Sequence, residues 1–386
     1  MKKAIINSDF KLGILGGGQL GKMMALAAGN WHLPLHFLDQ KNTFPAALVS
    51  PFFTEGSFKS FDDVYAFGKN MDVISIEIEH VNTEALHQLA KEGKIIHPAP
   101  DKLDIIKDKG LQKQFYAQHN LPSSTFSLYE DKSAILTAIE EGNLNFPFVQ
   151  KSRTAGYDGK GVAIIQRAAD IEKIMDTPSV IEDLVPIQKE LAVIVARNEA
   201  GEIANYPTVE MEFNSNANLV EWLVCPAQID KAYEQQAQIL ARKVIEAFEI
   251  CGLLAVELFL TTENEILINE VAPRPHNSGH HTIDSCYTSQ FEQHVRGILN
   301  LPLGSTALKS PAVMVNLLGS EGHTGHAHYE GLAECLSIEG VNMHLYGKEQ
   351  TRPYRKMGHA TILAPELELA KERARKVKEL LQIVSV

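Results

Sequence analysis

Two glutamates past the middle of the chain, Glu257 and Glu270, sit where acidic side chains are hardest to explain without chemistry. They lie in LLAVELFLTTENEILINEVAPRPHNSGHH, where two apolar runs flank the polar break TTENE. That pattern reads as a mostly buried β-hairpin. With Glu263 and Asn264 as the turn, Glu257 falls directly opposite Glu270, and Cβ atoms in such a pair are roughly 5 Å apart on one face. Two carboxylates that close among Leu, Val, Phe and Ile repel. Either one keeps its proton, or a hard divalent cation takes oxygens from both. Asn269 adds a neutral oxygen, and Arg274 and His276 just downstream suit anions. A metal-held polyphosphate beside an anion pocket accounts for the set. The competing reading, a hairpin edge with solvated glutamates, is disfavoured by the apolar neighbours on both strands.

Other stretches carry phosphate chemistry. Lys151 ends the apolar run FPFVQK and is followed by SRTAGYDGKG, where Gly156, Gly159 and Gly161 stand amid Arg153 and Lys160. A flexible cationic loop of this kind can close over phosphates and exclude water; a mobile hairpin with solvated lysines is the alternative. Near the N-terminus, Gly16, Gly18 and Gly21 fit G-x-G-x-x-G between a strand and a helix, and the next strand, PLHFLD, ends in Asp39. This is the dinucleotide fingerprint, so a nicotinamide-dependent oxidoreductase is a rival reading. Its physical content is narrower: glycines let N–H groups at a helix N-terminus approach any phosphate, and a tight strand-to-helix turn without ligand is the alternative. In VISIEIEH, Glu77 and Glu79 are two apart, on one strand face, and suit sugar hydroxyls or else stand as solvated edge residues. Lys348, Arg352, Arg355 and Lys356 bracket a turn and suit a phosphate, or else form a solvated basic loop. The histidines of HTGHAH lie in a glycine-rich loop without the preorganised geometry zinc requires.

These residues need a large α/β scaffold. At 386 residues the chain exceeds one ordinary core, so two or three domains are expected. Alternating strands and helices make residues 1 to about 103 a doubly wound unit. A helix from Lys107 opens a second α/β stretch that closes near residue 300, and the remainder is a small α/β unit with a final amphipathic helix. A composition of 45% hydrophobic and 22% charged residues is that of a globular protein. The net charge of −12, without a basic cluster, argues against a nucleic-acid partner. Four scattered cysteines, with no CxxC pair and no secretory leader, suggest reduced thiols in the cytoplasm. No apolar run approaches the roughly 20 residues of a membrane span.

Taken together, GILGGGQLGKM, SIEIEHV, KSRTAGYDGKG, AVELF, INEVAPRPHNSGHHT and HLYGK with RKMGH, in order from Gly13 to His359, resemble the 5-(carboxyamino)imidazole ribonucleotide synthetases, ATP-grasp enzymes of purine biosynthesis. The resemblance implies an α/β ATP-grasp fold of three domains: a doubly wound domain over 1–103, an ATP-grasp domain over 104–300 with a lid roughly at 122–186, and a small C-terminal domain over 301–386. It implies ATP and Mg2+ as cofactors, a homodimer, and carboxylation of aminoimidazole ribonucleotide by bicarbonate through carboxyphosphate. On this basis Lys109 and Lys151 contact ATP phosphates, and Ala155, Gly156, Tyr157, Asp158, Gly159, Lys160 and Gly161 form the flap. Tyr157 and Lys160 also face the ribonucleotide. Glu182, Asp183, Leu184 and Val185 resemble an adenine-binding hinge, and Glu190 a ribose ligand. Glu257 and Glu270 would hold the metal, with Asn269 beside them.

Arg274, His276 and Asn277 resemble the bicarbonate pocket, with Lys151 as their catalytic partner. Lys348 and Arg355, with the backbone of Gly18, Gln19 and Leu20, look like grips on the ribonucleotide phosphate, and Glu79 like a further substrate contact. The chain departs from the family pattern at Lys109, where Arg is common, and at Met211 and Phe213, where Asn and His are more usual. Another ATP-grasp carboxylate–amine ligase, such as the formate-dependent glycinamide ribonucleotide enzyme or a biotin carboxylase, remains a second rival. A non-catalytic ATP-binding protein is a third.

Overall fold

In the computed structural model, which describes residues 7–154, 161–214 and 219–386, the chain opens by alternating strand and helix. Strands β1 (Leu12–Leu15), β2 (Leu35–Asp39), β3 (Phe53–Glu55), β4 (Val73–Ile76) and β5 (Ile95–Ile96) form a parallel sheet in the order β3-β2-β1-β4-β5. Between them run α1 (Gln19–Gly29), α2 (Phe61–Gly68) and α3 (Thr83–Lys91). Every residue of β1 and β4 is buried, as a parallel sheet covered on both faces requires. Leu15, Ile74 and Ile76 pack under α2 and α3, while Leu12 and Ile14 share a core with α1 and with Phe291, Val295 and Ile298 from much later in the chain. Strand β4 stops at Ile76, so Glu77 and Glu79 lie beyond it rather than on one strand face.

The single helix expected from Lys107 is the junction of two, α4 (Pro100–Lys107) and α5 (Lys109–Gln118). Asp108 between them is extended, and its carboxylate accepts from the N–H groups of Gly110 (2.8 Å) and Leu111 (3.2 Å). That N-cap starts α5 at Lys109. Strands β6 (Phe126–Tyr129), β7 (Phe148–Ser152), β8 (Val162–Ile165) and β9 (Ser179–Asp183), with α6 (Lys132–Glu140), form a separate antiparallel sheet in the order β6-β9-β7-β8. It has its own small core around Ile135, Phe148, Ile165 and Ile181.

The central sheet is built from β10 (Ile187–Arg197), β11 (Ile203–Asn205), β12 (Val209–Asn214), β13 (Leu219–Cys225), β14 (Gly252–Thr261) and β15 (Ile266–Ala272). Helix α7 (Lys231–Phe248) buries the stripe Ala237, Leu240, Ala241, Val244, Ile245 and Phe248 against β10 and β14. After α8 (Thr282–Ser285) and α9 (Gln290–Ile298) come β16 (Ala312–Leu318), β17 (Gly325–Glu330), α10 (Leu332–Leu336), β18 (Val341–Leu345), β19 (Gln350–Thr351), β20 (Lys356–Leu363), α11 (Leu367–Leu380) and β21 (Gln382–Ser385). Strands β16, β20 and β18 extend the central sheet, in the order β15-β14-β10-β12-β13-β16-β20-β18, so one sheet runs across residue 300. His326 and His328, expected in a loop, lie on β17 in a sheet with β19 and β21. All four cysteines are buried free thiols, and no described helix is long and apolar enough to cross a membrane.

Candidate functional site

The hairpin of β14 and β15 sets Glu257 opposite Glu270, but not through the turn expected. Thr261 N–H donates to Glu265 O (2.9 Å) and Asn264 is left-handed (φ 65°), so Thr262, Glu263 and Asn264 make a three-residue turn. With that turn alone Leu258 faces Ile268, a register that would leave Glu257 opposite Asn269. A bulge beyond Leu258 inserts Asn269 as an extra residue and restores the pair. Bulges re-aim side chains in this way. Here the consecutive Asn269 and Glu270 each meet a lysine from a facing element.

Lys109, the first residue of α5, is ion-paired through Nζ with Glu270 Oε2. Lys151 on β7 donates to Asn269 Oδ1 (2.9 Å) and lies 3.0 Å from Glu182 Oε2. Glu182, buried on β9, also takes Ser124 Oγ (3.0 Å) and lies 3.4 Å from Lys113 Nζ. Lys113 was not anticipated; its signal was its place one turn after Lys109 on α5. Burial pushes its pKa down to about 8, against the pull of Glu182. Burial, then the Glu270 and Glu190 carboxylates, push the Glu257 carboxyl well above its ordinary range. Burial acts on Glu270 in the same sense, but Lys109, Lys151 and His276 together hold it low. The two carboxylates and the lysines thus act strongly on one another, as the spacing demands. Two carboxylates with an amide oxygen beside them also fit Mg2+, which takes one or two carboxylates and leaves its other positions to phosphate oxygens and water. Glu190 is pushed up to about 7 by burial, opposed by Lys151, and Met211 faces it across the ladder.

Of the anion-binding candidates, His276 reaches the glutamate pair. His276 Nε2 is 3.5 Å from Glu257 Oε1, and its Nδ1 is 2.9 Å from Ser278 Oγ. Arg274 Nε is 2.8 Å from Glu79 Oε1, uniting two residues expected to act on different ligands. Asn277 and Asn316 exchange side-chain amide hydrogen bonds of 2.9 and 3.1 Å. Gln290 accepts from His276 N–H (2.9 Å) and donates to its carbonyl (2.7 Å). Neither Asn316 nor Gln290 carried a sequence signal, because their roles exist only across strand and helix contacts.

The glycine turn is filled from within. Glu77 accepts from the N–H groups of Gly18 and Gly21, and a Cβ at Gly16 (φ +105°) or Gly18 would come within 2.5 or 2.7 Å of its side chain. Burial pushes Glu77 up to about 7, against those two donors. Asp39 accepts from Gly17 N–H (2.7 Å). The acidic residue that should hold a ribose is therefore spent on the turn, and a carboxylate lies where a pyrophosphate would. This overturns the nicotinamide reading. It also takes Gly18 N–H out of the expected phosphate grip, leaving Gln19 and Leu20 in the first turn of α1, where N–H groups have no intrahelical partner.

Lys348 Nζ donates to Lys356 O (2.7 Å), and Arg355 Nη1 donates to Gln350 O (2.5 Å). Asp183 is exposed and Leu184 and Val185 are half-buried. Ala155, Gly156, Tyr157, Asp158, Gly159 and Lys160, and the side chain of Phe213, lie outside the described residues. Gly161 is described; its carbonyl accepts from Ser152 N–H (2.8 Å).

Family models match three successive stretches: the ribonucleotide synthetase preATP-grasp domain over 10–107, the ATP-grasp domain over 114–291 and the phosphoribosylaminoimidazole carboxylase C-terminal domain over 312–373. The crystal structure of N5-carboxyaminoimidazole ribonucleotide synthetase from Thermotoga maritima is 44% identical, with a TM-score of 0.90 over 98% of this chain and 100% of that one. N5-carboxyaminoimidazole synthase from Aspergillus clavatus, solved with ADP and 5-aminoimidazole ribonucleotide, is 33% identical with a TM-score of 0.88 over 96% and 98%. The phosphoribosylaminoimidazole carboxylase of Saccharomyces cerevisiae is 38% identical over 376 residues, 94% of this chain, and the chain spans 65% of that protein's length.

Proposed function

The chain belongs to the N5-carboxyaminoimidazole ribonucleotide synthase family of ATP-grasp α/β proteins, and from that membership we propose that it joins bicarbonate to the exocyclic amine of 5-aminoimidazole ribonucleotide while cleaving ATP to ADP and phosphate. The observation that carries the reading is Glu257 opposite Glu270 in a bulged hairpin, with Lys109 and Lys151 meeting Glu270 and Asn269. Bicarbonate is a poor electrophile until phosphorylated. Its oxygen attacks the γ-phosphorus in line as the β-phosphate oxygen departs, giving ADP and carboxyphosphate. The amine nitrogen then bonds to the carboxyl carbon, the carbon–oxygen bond to phosphate breaks, phosphate leaves with the electron pair, and the nitrogen loses a proton.

Each side chain has a part in this scheme. Lys109 and Lys151 neutralise the γ-phosphoryl oxygens as charge develops. Mg2+, held by Glu257 and Glu270 beside Asn269, would supply further charge neutralisation when bound. Arg274, His276 and Asn277 hold the bicarbonate, and Glu79 orients Arg274. Residues 182–185 with Glu190 take the adenosine, and Gln19, Leu20, Lys348 and Arg355 take the ribonucleotide phosphate. The flap at 155–161 keeps water from the mixed anhydride. Domains at 1–103, 104–300 and 301–386, with a lid roughly at 122–186, and a cytoplasmic homodimer complete the reading. The net charge of −12 is consistent with small anionic substrates bound locally rather than with a nucleic-acid partner. The test is ADP release with bicarbonate and the ribonucleotide each omitted in turn. Full rate only with both is expected; release indifferent to the ribonucleotide would assign the chain to another ligase of the ATP-grasp class.

A further inference from the structure

The loop that carries Lys348 belongs to the C-terminal stretch but is anchored in the N-terminal core. Tyr346, 2% exposed, belongs to the same buried core as Leu20, Met23 and Met24 of α1. Lys22, one turn into α1, donates from Nζ to the carbonyls of Leu345 (3.0 Å) and Tyr346 (3.4 Å). Gly347 follows with φ +80°, and a Cβ there would lie 3.0 Å from Leu48 Cδ1 and 3.7 Å from Lys22 Nζ. Next in the chain, Lys348 turns its ammonium to Lys356 O (2.7 Å). More than 300 residues separate the strap from its acceptors, so local propensity does not explain the contact. An amine half-buried among apolar helix residues gives up water, and two carbonyls repay that loss only where the loop holds this one position. The first turn of α1, immediately before Lys22, carries the Gln19 and Leu20 N–H groups, and Glu77 pins the turn on either side of them through Gly18 and Gly21.

We propose that Lys22 is a positioning residue for the ribonucleotide's phosphomonoester: without touching it, Lys22 straps the Leu345–Lys348 loop to α1, so that Lys348 and the Gln19 and Leu20 N–H groups form one two-sided grip. This rests on the function proposed above. A strap serving only overall stability would weaken every substrate alike, whereas one setting the phosphate grip separates substrates by whether they carry the phosphate.

The test uses the full-length chain with Lys22→Met, which keeps the apolar stem, and Lys22→Arg, which restores charge and donors. Rates are measured with 5-aminoimidazole ribonucleotide and with the corresponding riboside lacking the 5′-phosphate. In Lys22→Met the ribonucleotide KM should rise at least tenfold, with kcat and the ATP KM within twofold of the parent and kcat/KM for the riboside unchanged; Lys22→Arg should recover most of the loss. Equal losses on ribonucleotide and riboside, or an unchanged ribonucleotide KM, overturn the strap. Lys22→Gln replaces the Met variant if the latter does not fold. If the parent chain shows no dependence on the ribonucleotide, the proposed function itself fails. If it shows that dependence while Lys22→Met keeps the parent's preference for the phosphorylated substrate, only the strap fails.

Discussion

Glu270→Gln removes one negative charge from the centre of the site and leaves side-chain size and the bulge at Asn269 intact. Its effect on stability should be small, because the Glu270 side chain is 43% exposed and its partner Lys109 21% exposed. A pair so open to solvent is worth about 1 kcal/mol or less. The effect on chemistry should be large. Once ATP with its metal ion displaces that solvent, a unit charge about 4 Å from another, at an effective dielectric near 20, is worth about 4 kcal/mol, and each 1.4 kcal/mol or so is a decade of rate. Bicarbonate-dependent ADP release should fall about a thousandfold while the thermal midpoint moves by only a few degrees. A second consequence has a definite sign. With the like charge gone, the Glu257 carboxyl loses one of the causes that hold it high, so its titration should move down toward the ordinary carboxylate range. Steady-state release at saturating substrates, melting curves and a pH profile on the same preparation measure all three. A variant that keeps a tenth of the parent rate, with an unchanged Mg2+ requirement, would remove Glu270 from the phosphoryl site.

Three other perturbations separate the remaining parts. The Glu77 carboxyl sits at about 7 in the folded chain against 4.5 for the free group, so the native state keeps a proton that the unfolded chain loses. That contribution to stability is present at acid pH and lost as pH rises through about 7; Glu77→Gln should remove a slope of up to about 1.4 kcal/mol per pH unit, read from urea melts at about pH 5 and pH 8. Lys113→Met leaves Glu182 with Lys151 and Ser124 alone, drawing Lys151 away from the phosphates; the ATP KM should rise about tenfold, a loss of about 1.4 kcal/mol, with the bicarbonate KM unchanged. Asn316→Ala deprives Asn277 of both amide hydrogen bonds, typically about 1 kcal/mol each, and should raise the bicarbonate KM about tenfold without changing the ATP KM, as initial-rate titrations would show.

The chemistry-bearing residue types and much of the architecture were legible in order along the chain. Alternating apolar runs marked the parallel sheet, and two glutamates in apolar strands marked the hairpin, because burial and charge conflict wherever they stand. Their pairing was anticipated through the wrong turn: a three-residue turn and a one-residue bulge offset each other, and a bulge leaves no trace in a period-two pattern. The glycines at 16, 18 and 21 were visible too, but not what they make room for. A carboxylate from Glu77 and a phosphate both fit that space, and only the path of β4 decides between them. Lys113, Asn316, Gln290 and Lys22 went unnoticed for a related reason. A lysine or amide on an ordinary helix or strand gains meaning only from the group it meets, and those groups lie up to 324 residues away. Sequence by itself determined which charges must be buried and therefore that they must be partnered. Tertiary structure alone decided the partners, because hydrogen bonds and ion pairs reach only about 3 Å and nothing local in the chain sets such a distance between remote segments.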